Sequence, residues 1–327
     1  MPAIQTRKLA KYFSSTIRAV DGIDLSVPEG QVFAFLGANG SGKTTTIRML
    51  TTLLRPSSGE AEVLGLDVTR DGVELRKRIG VALQEAGLDD LQTGRELLRL
   101  QYHLYGLPSK AMKHRTQELL ETVDLTEAAD RRIGTYSGGM RRRIDLASAL
   151  VHRPELIFLD EPTTGLDPIS REALHQQIVS LNRDDGVTFF LTTQYLEEAD
   201  KLADEVAIID RGKIVAKGSP AELKATIGTD VVTVEVGGEE EALAAVEERL
   251  AELPGTESVS RVAGSIVIYI RDGGAQIAPI VQLLGENAVQ VHKVTLAQPT
   301  LDDVFLRKTG HHMVEHSEEA SEEGGSS

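Results

Sequence analysis

The segment that most constrains this chain is Gly37-Ala38-Asn39-Gly40-Ser41-Gly42-Lys43-Thr44, which follows the apolar run Val32–Leu36 and opens a helical pattern reaching about Leu54. Between a strand and a helix, the spacing GxxxxGKT reads as a phosphate loop. Glycines let backbone N–H groups converge on phosphate oxygens at a helix N-terminus, where aligned peptide dipoles favour negative charge. Lys43 adds a point charge for the β- and γ-phosphates, the Thr44 hydroxyl is of the type that ligates Mg²⁺, and the cradle runs on to Thr45. A second buried strand, Leu156–Leu159, ends in Asp160-Glu161. Paired with a phosphate loop, Asp160 is expected to hold Mg²⁺, directly or through water, and Glu161 to accept a proton from the water that attacks the γ-phosphate.

The surrounding pattern agrees with such a site. Short apolar runs alternate with longer helical patterns through about residue 220, which predicts an α/β domain with a mainly parallel sheet. The expected buried strands are Val32–Leu36, Ile79–Leu83, Leu156–Leu159, Val187–Leu191 and Val206–Ile209, with Val20–Val27 alternating as an edge strand does. From Thr93 to about Ala129 the pattern is helical and opens with Thr93 and Glu96 in capping-box register. Asp210-Arg211-Gly212-Lys213 reads as a hairpin turn. After Gly228 the order becomes βαββαβ, a ferredoxin-like arrangement that buries one sheet face beneath two helices. The domains are therefore expected at 1–228, with a helical subdomain at about 93–150, and at 229–310. Residues 311–327 are polar and acidic and are expected to form a disordered tail.

Composition removes several alternatives. With no cysteine there is no disulfide, thiol nucleophile or Cys-ligated metal. A net charge of −15 works against general attraction to nucleic acid or anionic lipid. The longest apolar runs, Val32–Leu36 and Ile266–Ile270, are far shorter than the ~20 residues that cross a bilayer, and no secretory signal is visible in the first residues. His311, His312 and His316 read as solvated residues of the acidic tail. Arg141, Arg142 and Arg143 read as helix residues that pair with carboxylates or phosphate.

Between the phosphate loop and Asp160 lies Tyr136-Ser137-Gly138-Gly139-Met140, just before a helical pattern. With it the sequence resembles the ATP-binding-cassette (ABC) ATPases, whose signature motif is usually LSGGQ. Met49–Pro56, Leu191–Asp200 and Pro299–Phe305 resemble a bacterial branch related to daunorubicin-resistance exporters. The likeness spans about residues 3 to 308. It implies a P-loop NTPase ABC nucleotide-binding domain with a helical subdomain, followed by a small α+β ferredoxin-like domain.

The resemblance also implies roles. Ser137, Gly138 and Gly139 are expected to bind the γ-phosphate held by the opposite subunit of a head-to-tail dimer. Gln84 matches the Q-loop glutamine, which touches Mg²⁺ and relays nucleotide state to a membrane partner. Asp167, in Gly165-Leu166-Asp167, matches the D-loop, and Phe13, next to Tyr12, matches the aromatic that stacks on adenine. Gln194 stands where the family usually has histidine; an amide donates a hydrogen bond to phosphate but carries no proton or charge.

The function implied is an ATPase at the cytoplasmic face of the cell membrane, using ATP and Mg²⁺. It works with a second copy of itself or a paralogous ATPase, and with a separately encoded transmembrane permease that exports an amphiphilic drug or lipid. The alternatives are a regulatory ABC ATPase with little turnover, which Gln194 and Met140 leave open, and a soluble ABC protein acting on ribosomes or DNA. Against the latter stand one phosphate loop, one signature and no sustained heptads. The C-terminal domain reads either as a dimer-stabilising element, with Val304, Phe305 and Leu306 packing on a neighbour, or as a regulatory module touching the membrane subunit.

Overall fold

The computed structural model describes residues 2–14, 16–84, 87–228, 230–262, 264–287 and 289–309. In chain order the first elements are β1 Pro2–Tyr12, β2 Arg18–Pro28, β3 Val32–Leu36, α1 Lys43–Leu50, β4 Ser58–Val63, β5 Leu66–Asp67, α2 Gly72–Arg76, β6 Ile79–Ala82, α3 Gly94–Leu104 and α4 Ser109–Thr122. They continue with α5 Gly138–Ala149, β7 Leu156–Asp160, α6 Pro168–Asp185, β8 Thr188–Thr193, α7 Leu196–Leu202, β9 Glu205–Asp210 and β10 Lys213–Gly218. The last are α8 Pro220–Ala225, β11 Asp230–Gly237, α9 Glu240–Ala251, β12 Thr256–Val262, β13 Ser265–Ile270, α10 Gly273–Glu286, β14 Gln290–Ala297 and α11 Leu301–Thr309. The chain divides into two compact units between Pro220 and Ala221.

In the first unit the apolar runs form one sheet in the order β10-β9-β3-β8-β7-β6, parallel except for the β9–β10 hairpin that turns at Arg211 and Gly212. Every residue of β3 and β7 is buried, as strands covered on both faces require. The rings of Phe33, Phe35 and Phe158 gather around Phe190 at centroid distances of 5.5–5.6 Å. Parallel register aligns Leu36 with Thr193 and Asp160 with Thr192, so the C-terminal ends of β3, β7 and β8 open side by side. Loops leaving that edge form the ligand crevice of an open α/β sheet.

Two strands differ from expectation. β2 does lie at an edge, but of a separate antiparallel sheet, β2-β1-β4-β5, whose other strands the apolar pattern did not mark. β8 starts one residue later than expected and runs on through Thr192 and Thr193, both fully buried. Their hydroxyls make them look like loop residues, yet they continue the ladder. The helical insertion contains α3, α4 and α5, and α3 opens with the reciprocal capping box: Thr93 N–H donates to Glu96 Oε2 (2.8 Å) and Glu96 N–H to Thr93 Oγ1 (3.2 Å).

The second unit has the expected βαββαβ order, in a sheet β12-β13-β11-β14 that is antiparallel throughout. Val232, Val234, Ile266, Ile268 and Ile270 meet Val246 and Leu250 of α9 and Ile280 and Leu284 of α10. Val304 and Phe305 are fully buried within this chain, which corrects their expected place on a neighbour. The tail expectation lies outside the described residues. Among the described residues no helix is long and apolar enough to cross a membrane.

Candidate nucleotide-binding site

Strand β3 delivers the chain to Gly37, whose N–H donates to Thr193 O at the end of β8 (3.2 Å). A Cβ on Gly37 would stand 2.5 Å from Ile209 O and 2.6 Å from Ser41 Oγ; on Gly42, where φ is +111°, it would stand 2.4 Å from Ala19 O. Side chains are therefore excluded at both positions, and backbone lines the loop. Gly42 is the N-cap of α1 and brings no side-chain cap, so the first-turn N–H groups of Lys43, Thr44 and Thr45 stay available to an anion. Ala38 is half-buried and Asn39 and Gly40 are exposed, so the loop is open toward solvent on that side. Ser41 Oγ is buried without a hydrogen-bond partner.

Beneath this loop sits a closed set of polar side chains. Lys43 is 4% exposed; its Nζ donates to Gly37 O (2.7 Å) and Ala38 O (3.2 Å) and lies 3.1 Å from Glu161 Oε1. Asp160, the last residue of β7, accepts on Oδ1 from Thr192 Oγ1 (2.6 Å) and Thr44 Oγ1 (3.2 Å). Thr192 Oγ1 in turn accepts from Glu161 N–H (3.1 Å), and Thr164 Oγ1 donates to Glu161 Oε2 (3.3 Å). Glu161 has φ +48°, a left-handed backbone that costs a non-glycine residue roughly 1 kcal/mol or more. Asp160 Oδ2 is buried and has no hydrogen-bond partner. An unpaired buried carboxylate oxygen is expensive unless a cation meets it, and with the Thr44 hydroxyl beside it the donor set is of the hard-oxygen kind that suits Mg²⁺.

The other motif residues assemble elsewhere. Ser137 caps α5, accepting from Met140 N–H (3.2 Å), and Asp167 caps α6, accepting on Oδ1 from Ile169 N–H (3.1 Å) and Ser170 N–H (3.0 Å). The Ser170 hydroxyl donates to Asp167 Oδ2 (2.6 Å), and with the backbone bonds it holds this carboxyl below the usual carboxylate range. Gly139 is pressed against the same serine: a Cβ would stand 2.4 Å from Ser170 Oγ. Signature and D-loop thus meet at the starts of two neighbouring helices, where Ser137, Gly138 and Asp167 are exposed. Gln84 is exposed beyond the end of β6. Phe13 is 58% exposed, with Lys11 Nζ 5.5 Å from its ring centroid. Gln194 follows β8 and is half-buried; after it, Tyr195 packs under the Arg171 guanidinium and Glu198 meets His175 (3.1 Å), joining α7 to α6.

One residue at this site escaped sequence reasoning, and another was read there only as one of a basic run. Thr192 joins Asp160 to Glu161, and its only advance signal is a hydroxyl residue ending an apolar strand. Arg142 belongs to the basic run, and like its neighbours it pairs with a carboxylate: Arg141 with Asp90, Arg142 with Asp145 and Arg143 with Asp124. It also reaches backbone far from it in sequence.

Comparison with known proteins decides the lineage. The ABC transporter family model matches residues 20–164, and that of the C-terminal domain of DrrA1-3-like ATP-binding proteins matches residues 218–309. The daunorubicin/doxorubicin resistance ATP-binding protein DrrA of Streptomyces peucetius is 44% identical over 98% of this chain and 97% of its own length. The chain belongs to the ABC transporter ATP-binding family, on its daunorubicin-resistance branch. It is an ATP-binding, ATP-hydrolysing subunit of the exporter type. Within that family the Nod factor export ATP-binding protein I of Ralstonia nicotianae is 38% identical, over 95% of each chain. Among solved structures, a Clostridium perfringens subunit of the cbiONQ ABC transporter complex superposes with a TM-score of 0.64 at 24% identity, covering 77% of this chain and 96% of its own. A dimeric cassette in a post-hydrolysis state with ADP and phosphate gives 0.61 at 24% identity, over 66% of this chain and 98% of its own. At that identity the two structures speak for the shared ABC fold.

Proposed function

We propose that this ATPase pairs head to tail with a second copy of itself or a paralogue, and uses ATP and Mg²⁺ to drive a separate transmembrane permease that exports an amphiphilic drug or lipid. The observation that carries the reading is the closed polar set beneath the phosphate loop, in which Lys43 and Glu161 hold each other. The backbone of Gly37, Ala38, Asn39, Gly40, Ser41, Gly42, Lys43, Thr44 and Thr45 binds the phosphates. An incoming phosphate competes for Lys43 Nζ and so releases Glu161, which then accepts the proton of the attacking water. Thr44, Asp160 and Gln84 would hold Mg²⁺, which would supply charge neutralisation for the phosphates. Gln194 donates a hydrogen bond to the γ-phosphate, and Phe13 offers its exposed ring to adenine. Ser137, Gly138 and Gly139 of one copy face the phosphate held by the other, and Asp167 lies beside them.

The exporter lineage supports the permease partner, and among the described residues no helix of this chain is long and apolar enough to cross a membrane itself. In this reading residues 1–228 are the nucleotide-binding domain, docked at the cytoplasmic face of the membrane, and residues 229–310 are an accessory domain. Relatives named for daunorubicin, doxorubicin and Nod factor export favour an amphiphilic cargo. Glu161→Gln is expected to bind ATP normally, lose at least about 100-fold in hydrolysis and accumulate as an ATP-bound dimer in size-exclusion chromatography. Wild-type phosphate release by this variant would remove Glu161 from its role. Mass spectrometry of the chain purified with its native membranes identifies the permease; ribosomal or DNA-repair companions instead would overturn the export reading.

A further inference from the structure

Arg142 lies on α5 immediately behind the signature glycines, and its side chain is only 11% exposed. Nη1 donates to Leu83 O (2.8 Å) and lies 3.3 Å from Asp145 Oδ2; Nη2 donates to Asp160 O (2.7 Å) and Nε to Pro162 O (3.0 Å). Leu83 immediately precedes Gln84, and Asp160 and Pro162 are the two neighbours of Glu161. One guanidinium therefore grips the backbone on both sides of the residue held at φ +48° and, with a third bond, Leu83, which lies between the end of β6 and Gln84. Burial pushes the pKa of Arg142 down while Asp145 opposes that shift, so this cation stays buried at a cost that packing alone does not call for. A planar fork of fixed N–H donors reaches three carbonyls at once; an ammonium on a flexible stem does not.

We propose that Arg142 is a positioning residue for hydrolysis: it fixes the left-handed turn that aims the Glu161 carboxylate, and it locks that turn to the signature helix and to Leu83, just before Gln84. The inference rests on the reading of Glu161 as the base. It assigns to one side chain the spacing of three motifs that lie far apart in sequence. Loss of the grip lets the Glu161 turn relax away from its strained backbone while the phosphate loop, which Arg142 does not touch, stays as it is. Hydrolysis then suffers and nucleotide binding does not.

The test compares Arg142→Gln, Arg142→Lys, Asp145→Asn and Glu161→Gln in the full chain, measuring steady-state kcat and KM for ATP and equilibrium binding of a fluorescent ATP analogue. Arg142→Gln is expected to lower kcat by about 30-fold or more, with KM and analogue affinity within about 3-fold of wild type, because a misaimed catalytic group costs up to ~100-fold without weakening binding. Arg142→Lys is expected to recover part of the loss and supplies the test should the glutamine variant fold poorly. Asp145→Asn removes the ion pair but none of the three carbonyl bonds, and is expected to keep kcat within about 3-fold. Retention of wild-type kcat by Arg142→Gln, beside an inactive Glu161→Gln, overturns the positioning role alone. A matching loss of kcat and affinity in both Arg142→Gln and Asp145→Asn marks a packing role and also overturns it. Full activity of Glu161→Gln overturns the reading of the base and the inference with it.

Discussion

Around Lys43 the polar groups turn inward on one another, whereas around Ser137 and Asp167 they sit at helix starts that look out to solvent. In the first region Lys43, Asp160, Glu161 and Thr192 are buried and joined by short contacts of 2.6–3.1 Å. In the second, Ser137 and Gly138 are exposed and Ile169, beside the D-loop cap, is 83% exposed. Each helix start is nonetheless well formed, with a capping side chain and, at Gly139, a contact that tolerates no side chain. The difference teaches that one region satisfies its polar groups internally while the other presents its helix starts to solvent, which is the division that the proposed head-to-tail pairing would use.

That contrast can be broken or sharpened by substitution. The largest effect is expected from Ser137→Arg, which removes the α5 cap and fills the space before it. Phosphate release falls by about 100-fold or more while binding of a fluorescent ATP analogue to the monomer stays within about 3-fold. A parallel loss of binding would place the signature in the same half-site as Lys43 and end the division. Next comes Thr192→Val, which keeps the shape of a buried strand residue but deletes the donor to Asp160 Oδ1 and one of the two acceptors of Glu161 N–H, the other being the Thr192 carbonyl, which stays. Its kcat is expected to drop by about 10-fold, or ~1.4 kcal/mol in the barrier, with weaker binding of Mn²⁺ in the presence of ADP by electron paramagnetic resonance. Unchanged Mn²⁺ affinity would separate Thr192 from the metal. The smallest is Gly139→Ala, where the new methyl meets Ser170 Oγ at 2.4 Å. Unfolding measurements should show a loss of about 1–2 kcal/mol, relieved in part by Ser170→Gly.

Much of the inward-facing region was legible before any coordinates. The phosphate loop, the buried strands Val32–Leu36 and Leu156–Leu159, and the Asp160-Glu161 ending are local patterns, and local patterns report apolar periodicity and turn chemistry well. The capping box at Thr93 and Glu96 and the Asp210–Lys213 hairpin are equally local. What escaped is long-range. Thr192 lies 32 positions from Asp160 and Arg142 lies 59 from Leu83, and only the parallel register of β7 with β8 and the placement of α5 bring them together. The separate sheet β2-β1-β4-β5 escaped because β1 and β4 pair across distant sequence, as Ile4 does with Val63, and such pairing leaves no mark beyond alternation. Val304 and Phe305 read as a sticky end for a neighbour because a short apolar run carries no record of what covers it.

The left-handed backbone of Glu161 also bears on how this protein responds to laboratory selection. Glycine, and to a lesser degree asparagine, adopts φ near +48° far more cheaply than glutamate does. Yet Glu161→Gly also leaves the buried Lys43 ammonium without its carboxylate, and breaking a buried pair costs about 3–5 kcal/mol against roughly 1–3 kcal/mol for the backbone. Libraries screened for heat tolerance alone are therefore expected to keep glutamate at position 161, as screens that demand turnover do.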